Sequence, residues 1–241
     1  MPSLTLVSFA DLAALLRNIT HRIAGTSQAA NIFTGQPSAD GAPLIIAGGS
    51  FSYNFILGDA ADLEGTMLGR DDILAGGAHS SNNLVGDALL IGGHAVGGSD
   101  ILVGGMFSSN ILTGDAVTMT GYCQGGNDML ASGDNSSNIL RGDASVMTDW
   151  AKVGNDRLLG GVYSCNELTG DADTLSGHAA GGNDWLTGGD FSTNILRGNG
   201  QLLTSDAQGG SDILAGGAHS CNRLIGDADR IEDRAIAETT S

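Results

Sequence analysis

The sequence has three prolines, three cysteines and a single lysine, Lys152, in 241 residues. So little proline, with no Gly-X-Y period, excludes a collagen-like helix. Cys123, Cys165 and Cys221 are odd in number and form no C-x-x-C pair. They suggest neither a disulfide framework nor a zinc site and read as buried thiols. Positive charge is scarce as well: 10 Lys and Arg stand against 27 Asp and Glu, a net charge of −17. A surface of that sign is unsuited to nucleic-acid phosphates. No run approaches the roughly 20 apolar residues of a membrane span. The opening Met1-Pro2-Ser3-Leu4-Thr5-Leu6-Val7 carries no basic stretch, the first positive charge being Arg17, so a cleaved secretory leader is not expected. On that reading the protein stays inside the cell or leaves by another route.

Glycine is what the chain has in excess: 39 residues, more than twice the usual share of about 7%. That argues against long helices, while 41% hydrophobic residues are too many for a disordered acidic chain. The glycines are periodic. Gly58-Asp59-Ala60 recurs at Gly86-Asp87-Ala88, Gly114-Asp115-Ala116, Gly142-Asp143-Ala144, Gly170-Asp171-Ala172 and Gly226-Asp227-Ala228, with Gly198-Asn199-Gly200 as the variant. A second acidic column, Asp72, Asp100, Asp128, Asp156, Asp184 and Asp212, keeps the same interval of 28, as do seven asparagines from Asn54 to Asn222. Each asparagine follows a serine by two positions, from Ser52 to Ser220.

Three apolar columns share this interval: Ile46 to Leu214, Ile56 to Leu224, and Leu63 to Ile231. Their apolar runs are too short for helices and fit brief strands. If each unit is one coil, equivalent residues stack about 4.8 Å apart. The fold predicted is an all-β parallel β-solenoid with three short strands per 28-residue coil, three sheets and one narrow apolar core, stabilised by neighbouring coils. Residues 31–233 form this repeat domain, Asn31-Ile32-Phe33-Thr34-Gly35 being a half-unit with shorter spacing. Residues 234–241 are a polar tail. Residues 1–30 do not fit the repeat; Ser8 is placed to cap a helix running to about Ile23 that would cover the first coil.

Stacking turns each acidic column into a ladder. Two carboxylates about 4.8 Å apart repel by roughly 3.5 kcal/mol at an effective dielectric near 20. Exposure on the outside of the coil would screen much of this. Either counter-ions neutralise the column, or the aspartates accept backbone N–H bonds at turns. Oxygen-rich loops without His or Cys suit a hard cation, above all calcium. The candidate metal ligands are therefore Asp72, Asp100, Asp128, Asp156, Asp184 and Asp212, with Asp59, Asp87, Asp115, Asp143, Asp171 and Asp227 as the second set.

The segments Gly125-Gly126-Asn127-Asp128-Met129-Leu130, Gly181-Gly182-Asn183-Asp184-Trp185-Leu186-Thr187-Gly188-Gly189 and Gly209-Gly210-Ser211-Asp212-Ile213-Leu214-Ala215-Gly216-Gly217 resemble hemolysin-type calcium-binding (RTX) repeats. The resemblance spans residues 44–233 and implies a right-handed parallel roll. It also implies calcium between successive turns, with Asp72 to Asp212 as ligands, and export by a type I-like route without a cleaved signal. The chain departs from the family pattern in its 28-residue coil. Cys123-Gln124, Ala179-Ala180 and Ala207-Gln208 stand where the family has glycines, and the opposite loop ends in neutral asparagine.

The Asn and Ser columns read as structural ladders, since amides and hydroxyls both donate and accept. A further column, Phe51, His79, Phe107, Asn135, Tyr163, Phe191 and His219, reads as aromatic stacking at a corner. Phe51, Phe107, Tyr163 and Phe191 are its candidate glycan- or partner-binding residues. No unique catalytic constellation is present, so an enzyme is not expected. The function expected is an extracellular or cell-surface, calcium-stabilised structural rod that assembles head to tail. An adhesin- or lectin-like module and a calcium-dependent folding module for secretion are the alternatives.

Overall fold

A computed structural model describes residues 22–35 and 43–237. Its regular elements are 23 strands, and no helix occurs among the described residues. All strand pairs are parallel and join residues of equal position in successive coils, as in Ile101↔Met129 and Asn110↔Asn138. They form three sheets of eight, eight and seven strands. The first runs from Arg22–Ala24 through Ile101–Val103 to Ile213–Ala215, the second from Ala30–Thr34 through Ser109–Thr113 to Cys221–Ile225, and the third from Asp62–Leu63 to Ala228–Ile231. Single bridges from Leu68↔Val96 to Gln208↔Ile236 continue the ladder on a fourth side. The parallel β-solenoid anticipated from the 28-residue interval is the fold observed.

The first coil is shorter. Asn31 pairs with Asn54 and Ile23 with Ile46, offsets of 23 rather than 28. The helix anticipated from Ser8 falls outside the described residues except at its end. There, Arg22–Ala24 is a strand of the first sheet: backbone pairing with Ile45–Ala47 wins over local helical patterning.

The interior is not the single core anticipated from the sequence. Leucines and isoleucines of the first and second sheets, such as Leu102, Leu112, Leu130 and Leu140, make one dry cluster. The third sheet makes another, in which Ile91, Met119, Met147 and Leu175 pack against small residues, Ala95, Cys123, Ala151 and Ala179. Each coil thus has two lobes. The waist between them is built from the Gly-Asp step leaving the second sheet and the Gly-x-Asp step entering the first.

Leu112 lies in register between Leu84 and Leu140 with no exposed surface. Removing its branched end leaves a void that rigid coils above and below cannot fill. Leu112→Ala is expected to lower unfolding free energy by about 2–5 kcal/mol in denaturant titration. A loss below about 1 kcal/mol would contradict a close-packed column.

Candidate functional site

The two acidic columns meet at the waist. Asp115 follows Gly114 at the end of the second sheet, and Asp128 precedes the first-sheet strand Met129–Ala131 of the same coil. The Gly126 N–H crosses the waist to Asp115 Oδ1 at 2.8 Å, and Gly98 and Gly182 bind Asp87 and Asp171 in the same way. In the other column each Oδ1 accepts the N–H of its equivalent one coil earlier: Asp72 to Asp100 at 2.6 Å, Asp100 to Asp128 at 2.6 Å, and Asp128 to Asp156 at 2.7 Å. The glycines of the waist are steric necessities. A Cβ on Gly97 would fall against the carboxylates of Asp115 and Asp87.

The sequence led us to expect these carboxylates outside, where water would screen them. They are inside. Asp59, Asp72, Asp87, Asp100, Asp115, Asp128, Asp143, Asp156, Asp171, Asp184 and Asp212 are all buried, because the turns that carry them fold back between the lobes. Only Asp227, in the last coil described, is partly exposed. For most of these carboxylates a single N–H bond leaves the second oxygen over. Oδ2 of Asp100, Asp115, Asp128, Asp156, Asp171 and Asp184, and both oxygens of Asp143, are buried without a hydrogen-bond donor. A buried unpaired charge is among the most expensive features a fold can carry.

Three coils depart from this arrangement, each at the waist. Position 70 is glycine in the five later coils (Gly98, Gly126, Gly154, Gly182 and Gly210) but arginine here. The Arg70 Nε donates to Asp59 Oδ1 at 2.6 Å, and its Nη2 donates to the Gly58 carbonyl at 2.9 Å and to Asp72 Oδ2 at 3.4 Å. Towards the other end, Asn199 replaces aspartate, accepts from the Gly210 N–H and donates to Asp212 Oδ2 at 3.1 Å. In between, Val153 takes the place held by Gly97, Gly125 and Gly181. There Asp143 makes no bond comparable to that between Asp115 and Gly126.

Burial pushes the carboxyls upward in pKa: Asp115 and Asp212 to about 6, Asp72 to about 7 and Asp156 to about 8. Asp87, Asp100, Asp128, Asp143, Asp171 and Asp184 are also held well above the carboxylate range, by burial first and then by repulsion from neighbouring aspartates. For Asp72 the nearby Arg70 acts in the opposite sense. Desolvation disfavours the charged form, and like charges compound it.

The asparagine ladder contrasts with this. Asn110 Oδ1 accepts from the Gly105 N–H and from Asn82, while its Nδ2 donates to the Gly105 carbonyl and to Asn138 Oδ1, all at 2.8–2.9 Å. Every hydrogen-bonding site of the amide is used. The serines form a parallel ladder, Ser80 N–H to Ser108 Oγ and Ser108 N–H to Ser136 Oγ, both at 3.0 Å. Both columns form hydrogen-bonded ladders, as anticipated.

The ring column stacks as anticipated. Phe51, His79 and Phe107 lie 4.8 and 5.0 Å apart, and Tyr163, Phe191 and His219 lie 5.1 Å apart, with Asn135 between the two groups. These residues hold φ near 51–54°, a left-handed corner that β-carbon-bearing residues other than Asn and Asp rarely adopt. Phe51, Phe107, Tyr163 and Phe191 are each half or more exposed. Sequence reasoning missed a second exposed stack, His94, Tyr122, Trp150 and His178, with ring centroids 3.9–6.1 Å apart. Its signal was the same 28-residue interval, hidden by mixed residue types. Of the cysteines, only Cys123 is buried; Cys165 and Cys221 are free and exposed, because they occupy the outward first position of a second-sheet strand, in register with Ser137 and Thr193.

The donor set at the waist fits a hard cation. It is all oxygen, it includes orphaned buried carboxylate atoms, and in one coil a guanidinium already occupies it. Among the described residues no three acidic, His or Cys side chains converge as a ready-made metal site, so two carboxylates per coil would need backbone carbonyls to complete a shell. Comparison of the chain with known protein families, with curated proteins and with solved structures finds no match.

Proposed function

We propose that the protein is an extracellular structural rod whose solenoid is locked by calcium at the waist. The observation that carries this reading is the double column of buried aspartates with unpaired oxygens. A fold that meant these carboxyls to stay neutral would place asparagine there, as it does in the ladder beside Gly105 and at position 199. Calcium prefers several oxygen ligands in flexible geometry, and a cation shared by two carboxylates removes the repulsion and the desolvation penalty together. An acidic module with this chemistry would be loosely folded in calcium-poor cytoplasm and rigid outside, in keeping with a type I-like export route. The uniform stack of coils, on the order of 35 Å for seven turns, suits a spacer in a surface layer or matrix, and head-to-tail association would lengthen it.

Circular dichroism and electron microscopy test this reading. Calcium should sharpen and raise the β-sheet melting transition relative to chelator, with end-to-end particles at millimolar calcium. An unchanged transition in chelator would remove calcium from the account, and discrete single rods would remove assembly.

A binding role is the second reading, favoured by the exposed ring stack. Phe51, His79 and Phe107 border a shallow groove of about 810 Å³ that also presents Tyr53, Ser81 and Ser109. Flat rings at a regular spacing with hydroxyls alongside suit a linear glycan.

A further inference from the structure

We propose that the Arg70 guanidinium is a built-in counter-ion, standing where complete coils each take one divalent cation; this rests on the calcium reading above. The three oxygens it touches belong to Gly58, Asp59 and Asp72. One coil on, the equivalents are Gly86, Asp87 and Asp100, and then Gly114, Asp115 and Asp128; two coils beyond these are Gly170, Asp171 and Asp184. These later sets keep the same backbone course but have glycine at the position of Arg70, and among the described residues no cationic group pairs with them. The guanidinium therefore marks, in side-chain form, the point on which a carbonyl and two carboxylates converge.

Arg70 is the first member of its column among the described residues. From Gly98 onward a Cβ would run into the carbonyl of the preceding coil: Gly98 against Arg70, Gly126 against Gly98. Arginine is thus tolerated at position 70 but excluded further along, where a free ion must do the same work. Asn199 closes the opposite end by another means. Its amide gives Asp212 Oδ2 a donor and lowers the charge of that set by one. Between the two ends lie the sets whose carboxylates have no counter-charge, and each pair of carboxylates balances one divalent ion.

Native mass spectrometry and calorimetric titration with calcium chloride decide this, using wild type, Arg70→Gly, Arg70→Gly/Asp59→Asn and Asn199→Asp. Arg70→Gly installs the residue the other coils carry. It should bind one calcium ion more than wild type, melt lower than wild type in chelator, and recover when calcium is added. Asp59→Asn on that background should abolish the extra ion and restore part of the melting temperature in chelator. Asn199→Asp should independently add one ion at the far end, which keeps the test decisive if Arg70→Gly fails to fold. Calcium binding by wild type with an unchanged ion count in the variants would overturn the counter-ion assignment and leave the calcium reading standing. No calcium binding by any form would overturn both.

Discussion

In chelator, the protein is expected to lose stability steadily as pH rises from about 4.5 to about 8, and calcium should reverse the trend at the upper end. Most proteins are tuned the other way, with paired carboxylates that stabilise above pH 4. Here burial raises the folded-state carboxyl pKa values, so between about 4 and about 8 the folded state holds protons that the unfolded chain has released. Stability is then fully present below the unfolded value and falls as pH climbs through the folded values, about 6 for Asp115 and Asp212, about 7 for Asp72 and about 8 for Asp156. One pKa unit corresponds to about 1.4 kcal/mol, and the aspartates titrate as a coupled set, so together they oppose folding by several such units as the pH reaches about 8.

For a chain of this size about 1 kcal/mol shifts the melting temperature by roughly 2–4 °C. A drop of at least about 10 °C between the two pH values is expected in differential scanning calorimetry. Among the described residues the charged groups facing the ladder do not cancel it: Arg70 serves Asp59 and Asp72 only, and the remaining charged neighbours are other aspartates. With calcium present the carboxylates bind metal in place of protons, and the loss at pH 8 should disappear. A melting temperature that rises with pH in chelator would sink the picture of an uncompensated interior ladder.

The second large effect is expected from Asn110→Asp. The two side chains have the same shape, and a surface exchange of this kind changes stability little. Inside the asparagine ladder it removes both donors. The Gly105 carbonyl and Asn138 Oδ1 lose their partner and face a carboxylate instead, while the Gly105 N–H and Asn82 can satisfy only part of the new charge. Breaking a buried polar network so that a charge is left unpaired costs about 3–5 kcal/mol, measurable in denaturant titration at neutral pH. Asn110→Asp should regain stability at low pH, where the new carboxyl is protonated and donates again. Near-neutral behaviour at pH 7 would show that the ladder contributes little.

The sequence revealed the coil, the three sheets and the apolar, acidic, amide and first ring columns, because a fixed interval forces equal residues into register whatever the local conformation. It was less informative about which way a column faces. Aspartate was assigned to the outside on solvation grounds. The clue against this was local: glycines recur beside most of these aspartates and make room for them, and Arg70 and Asn199 appear where a charge would otherwise lack a partner. The division into two lobes was hidden for the same reason, since it exists only if the acidic columns turn inward. The His94 to His178 stack escaped notice because its members differ in type, whereas stacking requires only flat rings at equal positions.

In-register stacking has a further consequence for how such a chain can change. A duplication or loss of a whole 28-residue unit leaves every amide, serine, leucine and ring in line with its neighbours and alters only the number of coils. A change of length within a unit has to be absorbed in a connection between strands, as in the first coil, whose offset of 23 still sets Asn31 against Asn54. Length can therefore vary in steps of a coil, which makes the molecule a ruler graduated by its own repeat.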